Sequence, residues 1–468
     1  MRTPSFRANV KLDPPYAGGG ITLLQRGFEP QDADLKLGPF FLKLQAVQAA
    51  VLHSDNINLS PGNERKSGTI AIATATVGVV AQLTEGLRLA TSGTFVYLPL
   101  EGKAGIAGFG LTDLYNFGLL AGPSTRAQLV WETMIGNWEV IFADDFRIGL
   151  GVYSDSVRND FALFDGGYFD EESQAGRYVF SARGNRRDSR DSDDDRPRSR
   201  SDIVVFSNTI SAATQRLLPG SIRLRARVYR EDLWYNQGNR GLPSLREGVL
   251  LNLASERENM RFKPFARYEA FQSSRADAFQ NIFRLGIAGP ITSQLHFYGD
   301  AGWYSGGGRG SGYVWNLSLT HTAGPYTQHS LIYKRAFDDF HEEITEGVGY
   351  NLRQILGPKL SADAYLYDSR SEDSGLEEDE SFDRHELRAG FRLTYQAGPK
   401  TALRLSGMYS DSDPDDIQTW TARLDIDYHF SETVLARFVY QHQRRTSSLL
   451  EENYSENLFF LSLAKYFD

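Results

Sequence analysis

Apolar and polar residues alternate strictly along most of the chain from residue 40 to the C-terminus. In the clearest stretch, Leu387, Ala389, Phe391, Leu393 and Tyr395 occupy one set of alternate positions, and Glu386, Arg388, Gly390, Arg392, Thr394 and Gln396 occupy the other. The same pattern recurs at residues 221–228, 295–303 and 420–430. Because successive side chains of a β-strand point to opposite faces, this period of two predicts strands with one apolar and one polar face. Helical periodicity is scarce, so the expected fold class is all-β.

These segments exceed the roughly 5–6 residues of a typical soluble strand and match the ~9–11 residues that a tilted transmembrane strand needs. Early strands are expected at 40–53, 69–83, 88–98, 127–131 and 138–146, and about 15 more after residue 201. Closing such strands into a ring satisfies every backbone hydrogen bond in lipid. We therefore predict a single transmembrane antiparallel up-and-down β-barrel of about 20 strands, within a range of roughly 18–22.

The connections between the predicted strands alternate in length. Short turns are expected at Gly289-Pro290, Gly324-Pro325, Gly357-Pro358, Gly398-Pro399 and Ser431, with longer polar loops between them. Short turns at one rim and long loops at the other are typical of membrane barrels. The predicted organisation is a barrel over 40–468, with 152–200 as its largest external loop and 1–39 as a periplasmic tail or small insert in the lumen. Within that loop, the Arg, Asp and Ser run at 186–200 is expected to be disordered.

The amino-acid composition indicates the cellular compartment of the protein. Aromatic residues make up 12% of the chain, which suits aromatic belts at membrane interfaces, and Trp303, Trp420 and Tyr440 are the expected anchors. The absence of cysteine suits an oxidising compartment such as a periplasm. No apolar run reaches the ~18 residues of a transmembrane helix. The first 15 residues lack the apolar core of a signal peptide, so we expect that an export signal has been removed. The expected location is the outer membrane of a Gram-negative (diderm) bacterium, and the net charge of −9 argues against nucleic acid as a partner.

The polar faces carry the main functional signal. The residues predicted to line the lumen are Arg223, Arg225, Arg227, Lys263, Arg267, Arg388, Arg392, Arg404, Arg423, Arg437, Glu386, Asp425 and Asp427. Their excess of arginine predicts a basic lumen, and rings of arginine bias a pore toward anions. The alternative is that arginine and carboxylate residues pair across strands as structural ladders.

The sequence gives little support for a metal site or for catalysis. Asp411, Asp413 and Asp415 place oxygen ligands at alternate positions, as a calcium loop would. Pro414 interrupts them and no EF-hand glycine or glutamate follows, so a solvated external loop is favoured and no metal or cofactor is expected. There is no G-x-S-x-G, phosphate-binding loop or H-E-x-x-H motif, so the chain is not expected to be an enzyme.

The C-terminal segment 457–468 is amphipathic, with Phe459, Leu461, Leu463 and Phe467 on one face. This segment resembles the assembly signal that ends barrels of the outer-membrane porin superfamily. Lys465, where an aromatic residue is commoner, and the terminal Asp468 depart from the pattern, although a lysine there can extend toward the interface. The resemblance implies that the barrel-assembly machinery, outer-membrane lipid and lipopolysaccharide are partners.

Two further segments are similar to β-barrel porins found beside exopolysaccharide-export genes. They are LHSDNINL at 52–59, which follows LGPFFL, and ENYSENLFFLSLAKYF at 452–467. Three functions are therefore considered. The first is a channel for passive or substrate-biased diffusion of hydrophilic, anionic solutes. The second is an export conduit for exopolysaccharide or another polymer, with an arginine and aromatic track and a periplasmic partner at residues 1–39. The third is a structural or adhesion barrel with an occluded lumen.

Overall fold

A computed structural model describes residues 30–56, 66–84, 86–99, 103–106, 126–150, 204–235, 244–257, 259–273, 279–306, 311–338, 343–373, 383–413, 416–448 and 453–467. These residues form one short 3-10 helix, Pro30–Asp32, and 22 β-strands. The strands are β1 Leu35–Leu37, β2 Phe40–Ser54, β3 Gly68–Gln82, β4 Leu87–Leu98, β5 Lys103–Ile106, β6 Arg126–Ile135, β7 Trp138–Leu150, β8 Val204–Leu218, β9 Ile222–Tyr235, β10 Ser244–Ser255, β11 Lys263–Ser273, β12 Gln280–Pro290, β13 Leu295–Gly306, β14 Ser311–Thr322, β15 Thr327–Asp338, β16 Glu343–Gly357, β17 Leu360–Asp373, β18 Asp383–Gly398, β19 Thr401–Asp413, β20 Ile417–His429, β21 Val434–Thr446 and β22 Tyr454–Tyr466. In the described part of the chain, no helix has the length and apolarity needed to cross a bilayer.

The strands form a closed antiparallel ring. Each ring strand pairs with its neighbours in chain order, and β22 returns to pair with β2 through contacts such as Leu52 opposite Phe460. The 22 strands less β1 and β5 leave 20 in the ring, because β1 pairs only with β2 and β5 only with β4. The predicted up-and-down barrel of about 20 strands is confirmed, and the predicted strands after residue 201 are β8 to β22.

The outer face of the ring strands is mostly apolar, whereas the inner face carries most of their charged residues together with a buried apolar cluster that includes Leu52, Leu458 and Phe460. On β22, Phe459, Leu461 and Leu463 are exposed on the outer face, whereas Ser462 and Glu456 on the inner face are buried. Soluble proteins show the opposite distribution, with large apolar side chains inside and charged ones outside. An apolar outer wall around a polar interior is the arrangement expected for a barrel surrounded by lipid.

The connections confirm the two-rim layout. At one rim, neighbouring strands are joined by two to seven residues, as at 136–137 between β6 and β7 and 256–262 between β10 and β11. At the other rim, the connections range from three residues, at 414–416 between β19 and β20, to 151–203 between β7 and β8, which lies outside the described residues. The start of β2 and the end of β22 both lie at the short-turn rim.

One predicted turn is wrong. Gly289 and Pro290 end strand β12, and the turn follows at 291–294. Proline is tolerated there because the last residue of a strand need not donate a ladder hydrogen bond. The polyampholyte at 186–200 and residues 1–29 of the predicted tail lie outside the described residues. Residues 30–37 contribute the short helix and β1.

Adjacent short turns are linked by cationic side chains. Arg257 Nε donates to the carbonyl of Gly220 at 2.9 Å, and Arg261 Nε donates to that of Pro290 at 2.8 Å. Lys400 Nζ likewise donates to the carbonyl of Phe430 at 3.0 Å. Each bond satisfies a carbonyl that the strand ladder leaves free, so these side chains brace the rim.

Replacing Lys400 by methionine is expected to lower the free energy of unfolding by about 0.5–1 kcal/mol, because one exposed charge-assisted hydrogen bond is lost. The measurement is urea unfolding of the barrel in lipid vesicles. Lys359→Met is the matched control, since Lys359 lies in the neighbouring short turn and its side chain makes no such bond among the described residues. An equal loss in both variants would contradict a bracing role.

Candidate functional site: the ionic inner face

Charged residues occupy alternate positions on the inner faces of many ring strands. The cations there are Lys43, Arg88, Arg223, Arg225, Arg227, Arg246, Lys263, Arg267, Arg284, Lys334, Arg353, Arg388, Arg392, Arg404, Arg423, Arg437 and Arg445. The carboxylates there are Glu132, Glu139, Asp145, Glu231, Glu269, Asp300, Asp363, Glu386, Asp425, Asp427 and Glu456. Cations therefore outnumber carboxylates on the inner face of the described strands, although the whole chain is acidic. Every residue predicted from the alternation lies on this face.

The strongest cluster lies close to the short-turn rim, on β19, β20 and β21. Asp427 accepts a hydrogen bond from Arg437 Nε at 2.8 Å and another from Arg404 Nη2. Beside this triad, Arg423 and Asp425 form a pair with an N–O distance of 2.7 Å. Asp427 thus compensates two guanidinium groups, which leaves the triad with a net positive charge.

A second cluster connects β16, β17 and β18. Asp363 accepts a hydrogen bond from Arg353 Nε at 2.9 Å and another from Arg392 Nε at 3.4 Å. Further along β18, Arg388 Nη2 donates to Glu386 Oε1 at 2.5 Å. The side chains of Arg388 and Glu386 are only 1% and 5% exposed. Because both side chains are almost fully buried, each charge requires an opposite charge close by.

The arginine row of β9 lies at the short-turn rim. Arg223 pairs with Glu256, and the guanidinium of Arg225 donates from Nε to Gln215 Oε1 at 3.1 Å. Arg227 lies 5.5 Å from the ring centre of Tyr229. The hydrogen bond from Arg223 lowers the pKa of Glu256, which keeps this carboxylate ionised. Lys263 is on the same inner face, at the start of β11.

The alternation of apolar and polar residues did not identify every member of this ionic network. Glu269 accepts hydrogen bonds from Arg246 Nη2 at 2.9 Å and from the Tyr229 hydroxyl at 3.0 Å, and it pairs more loosely with Arg267 at 3.4 Å. Arg246 was not singled out because Leu250 interrupts the polar face of β10. A search for isolated arginines at inward positions of a predicted strand would have found it.

The ionic inner face shows the pairing that the sequence offered as the alternative to an anion-selective lumen. Arginine and carboxylate residues do pair, within strands as at Arg423 and Asp425, and across strands as at Arg437 and Asp427. These ladders stabilise the wall. Because the arginines are in excess, the paired wall retains a positive potential toward the interior.

Aromatic rings lie against glycines on the same inner face. A methyl group added to Gly248 would lie 2.7 Å from the Tyr229 hydroxyl, and one on Gly347 would lie 2.8 Å from that of Tyr367. These glycines therefore leave room for the tyrosine of the neighbouring strand to lie flat on the wall, a pairing that also helps to hold strand register. The alternation of charges did not reveal this feature.

The remaining predicted sites lie elsewhere. Asp411 and Asp413 are on the outer face of β19, where Asp411 accepts a hydrogen bond from the Tyr409 hydroxyl at 3.0 Å, and Asp415 lies outside the described residues. Within the described ranges, no group of three or more His, Asp or Glu residues could hold a metal ion. Lys465 Nζ lies 4.8 Å from the ring centre of Phe467, so the lysine of the C-terminal segment packs on its final aromatic residue.

Comparison with known proteins supports the fold. No protein-family model matches the sequence, and no curated protein sequence matches it. Among solved structures, the siderophore receptor PirA from Pseudomonas aeruginosa is similar with a TM-score of 0.50 and 9% identity, over 93% of this chain and 81% of the receptor. The ferric enterobactin receptor PfeA from the same organism has a TM-score of 0.47 and 8% identity over 90% and 81% of the two chains. A BenF-like porin from Pseudomonas fluorescens has a TM-score of 0.41 and 9% identity over 90% and 98%. The likeness to the siderophore receptor confirms the barrel fold that the C-terminal resemblance implied.

Proposed function

We propose that the protein is an outer-membrane channel for hydrophilic, preferentially anionic solutes. The outer wall of the ring is apolar, the two rims differ as they do in membrane barrels, and the inner face is ionic. The lipid, lipopolysaccharide and assembly-machinery partners predicted from the sequence belong to this proposal. No step of it requires catalysis or a cofactor.

One observation carries the anionic preference. The inner face has an excess of arginine and lysine in a chain whose net charge is −9, so the acidic residues are concentrated elsewhere. A low-dielectric wall that encloses one sign of charge concentrates ions of the opposite sign. Arg404 and Arg437, which share the single carboxylate of Asp427, are the residues we expect to contribute most.

A second candidate function is export of a polysaccharide or another polymer. The observation that favours it is the set of inner tyrosines beside arginine and carboxylate pairs, as at Tyr229 with Arg246 and Glu269. Flat aromatic faces attract the C–H face of a sugar ring because the ring face carries partial negative charge. Neighbouring ionic groups would bind hydroxyl or carboxylate substituents.

The test is conductance of the purified, folded protein in a planar bilayer under a KCl gradient. We expect ohmic steps whose reversal potential is displaced toward that of chloride. Asp427→Asn should increase this displacement, because it removes the carboxylate that neutralises Arg404 and Arg437. Asp411→Asn is the matched control, since Asp411 lies on the outer face and should not change selectivity. Cation-selective steps would contradict the proposal, and silence from a folded barrel would favour the occluded, structural alternative.

A further inference from the structure

A row of charged residues, interrupted by Ile210, crosses the mostly apolar outer face of β7 to β10. Asp144, Ile210, Arg230 and Glu247 are register partners in succession across these four strands. Phe142 and Val228 adjoin the row toward the short-turn rim, and Phe146 and Leu245 adjoin it toward the other rim. On the side of the other rim, the next line of register partners also carries the polar residues Asn208 and Asp232, so only the short-turn side of the row is fully apolar. On the lipid face of a barrel, an arginine costs about 0–1 kcal/mol near an interface and about 2–4 kcal/mol at the bilayer midplane, and carboxylates cost less, so the row is more stable against a protein partner than against lipid.

Some polar groups in and beside the row have no partner among the described residues. Arg230 pairs with Asp232 at 3.0 Å and with Glu247 at 3.3 Å, yet its side chain is still 52% exposed. Asp144 is exposed and has no ion-pair partner among the described residues. The Oδ1 atom of Asn208, also on the outer face of β8, is buried without a hydrogen-bond partner. An unsatisfied buried acceptor costs about 1–3 kcal/mol, so this face favours a neighbour that places a hydrogen-bond donor at Asn208 and a cation opposite Asp144.

The surface around the row has a ridge and a groove. The rings of Trp131 and Phe142 stack at a centroid distance of 5.3 Å and protrude from β6 and β7. Both rings line an open groove of about 1110 Å³, together with smaller residues such as Ala212, Val228 and Ala270. The ridge and the groove occupy neighbouring strands, so one surface carries both a protrusion and a recess.

We propose that this face binds a second copy of the chain about a two-fold axis through β8, parallel to the membrane normal. Asp144 lies one strand to one side of Ile210, and Arg230 lies one strand to the other side on the same register line. A two-fold rotation there brings Arg230 of each copy toward Asp144 of the other and forms two ion pairs. The inference rests on the proposed membrane location, because the cost of the row arises only in lipid.

The same rotation matches shape and hydrogen bonding. It places the Trp131 and Phe142 ridge of one copy over the Val228 side of the other copy's groove. It also brings the two Asn208 side chains together near the axis, where each amide can donate to the other's Oδ1 after rotation about its last torsion. In a two-fold interface each contact occurs twice, so modest complementarity is doubled. Acyl chains would fill the groove but leave Asp144 unpaired.

Cysteine crosslinking tests the axis, because the chain contains no cysteine. Asn208→Cys in native membranes should form a disulfide-linked dimer, of twice the 52.5 kDa chain mass, under mild oxidation. Leu405→Cys is the control, since Leu405 is 44% exposed on the outer face of β19, far around the ring. Equal crosslinking of both variants, or none with Asn208→Cys, would overturn the proposal.

Charge exchange tests the ion pairs. Asp144→Lys alone and Arg230→Glu alone should each abolish the dimer in native mass spectrometry, because each places like charges across the axis. Mixing the two variants should restore a mixed dimer, in which both contacts again join opposite charges. Heat-dependent electrophoretic mobility verifies that each variant is folded, and conductance of the same samples tests channel function separately. A mixed sample that stays monomeric, or single variants that still dimerise, would refute the interface whether or not the barrel conducts.

Discussion

Replacing Arg388 by methionine is expected to lower the free energy of unfolding by about 3–5 kcal/mol. The change leaves the carboxylate of Glu386, 5% exposed, without the donor that lies 2.5 Å away. Removal of one partner of a buried ion pair costs more than the pair itself contributes, because the other charge remains buried. Urea unfolding in lipid vesicles, followed by tryptophan fluorescence, measures this loss.

The same strand offers matched controls for Arg388. Arg392→Met should cost much less, because Asp363 keeps its second partner, Arg353. The double variant Glu386→Gln with Arg388→Met should regain most of the loss, since it removes both charges together. A loss below about 1 kcal/mol for Arg388→Met alone, the value of an exposed pair, would show that water reaches this part of the interior.

Replacing Asp55 by alanine is expected to weaken the seam where the ring closes, by about 3–5 kcal/mol for two hydrogen bonds to a charged acceptor. Asp55 accepts from the backbone N–H and from Nδ2 of Asn457, both at 2.7 Å. On the inner side of the seam, Ser54 Oγ donates to Glu456 Oε1 at 2.6 Å. Loss of the outer clamp should speed hydrogen exchange of the β2 and β22 amides before other strands are affected.

The seam prediction has its own controls. Asn457→Ala should remove the Nδ2 bond to Asp55 but leave the backbone N–H bond, and the double variant with Asp55→Ala should show a coupling free energy above zero from the shared side-chain bond. Asp411→Ala should cost little, because among the described residues Asp411 accepts one side-chain hydrogen bond, from the Tyr409 hydroxyl at 3.0 Å. Additive effects of Asp55 and Asn457 would contradict a shared clamp.

The barrel itself was predictable because its signal is local. In a membrane barrel, one face of each strand contacts lipid and the other faces the interior. Each strand segment therefore carries the apolar and polar alternation independently of the other segments. This is why the predicted stretch at 386–396 lies within β18, and the stretch at 420–430 lies within β20 except for its last residue. The inward positions of Arg388 and Asp427 followed from the same alternation. Pro290 misled the turn assignment because proline is compatible with both a turn and a strand end.

The sequence by itself therefore determined most of the strands, their approximate number and the inward face of the charges that the alternation singles out. Only the tertiary structure decided which charges meet, since the register between strands is set by turns and by ring closure rather than by any one segment. The two segments singled out by resemblance, at 52–59 and 452–467, show this most directly. Their residues Asp55 and Asn457 are 402 positions apart in the chain, yet they join the first and last strands of the ring. The partners of Arg388 and Asp427, and the polar row on the outer wall, likewise depend on neighbours that no local pattern specifies.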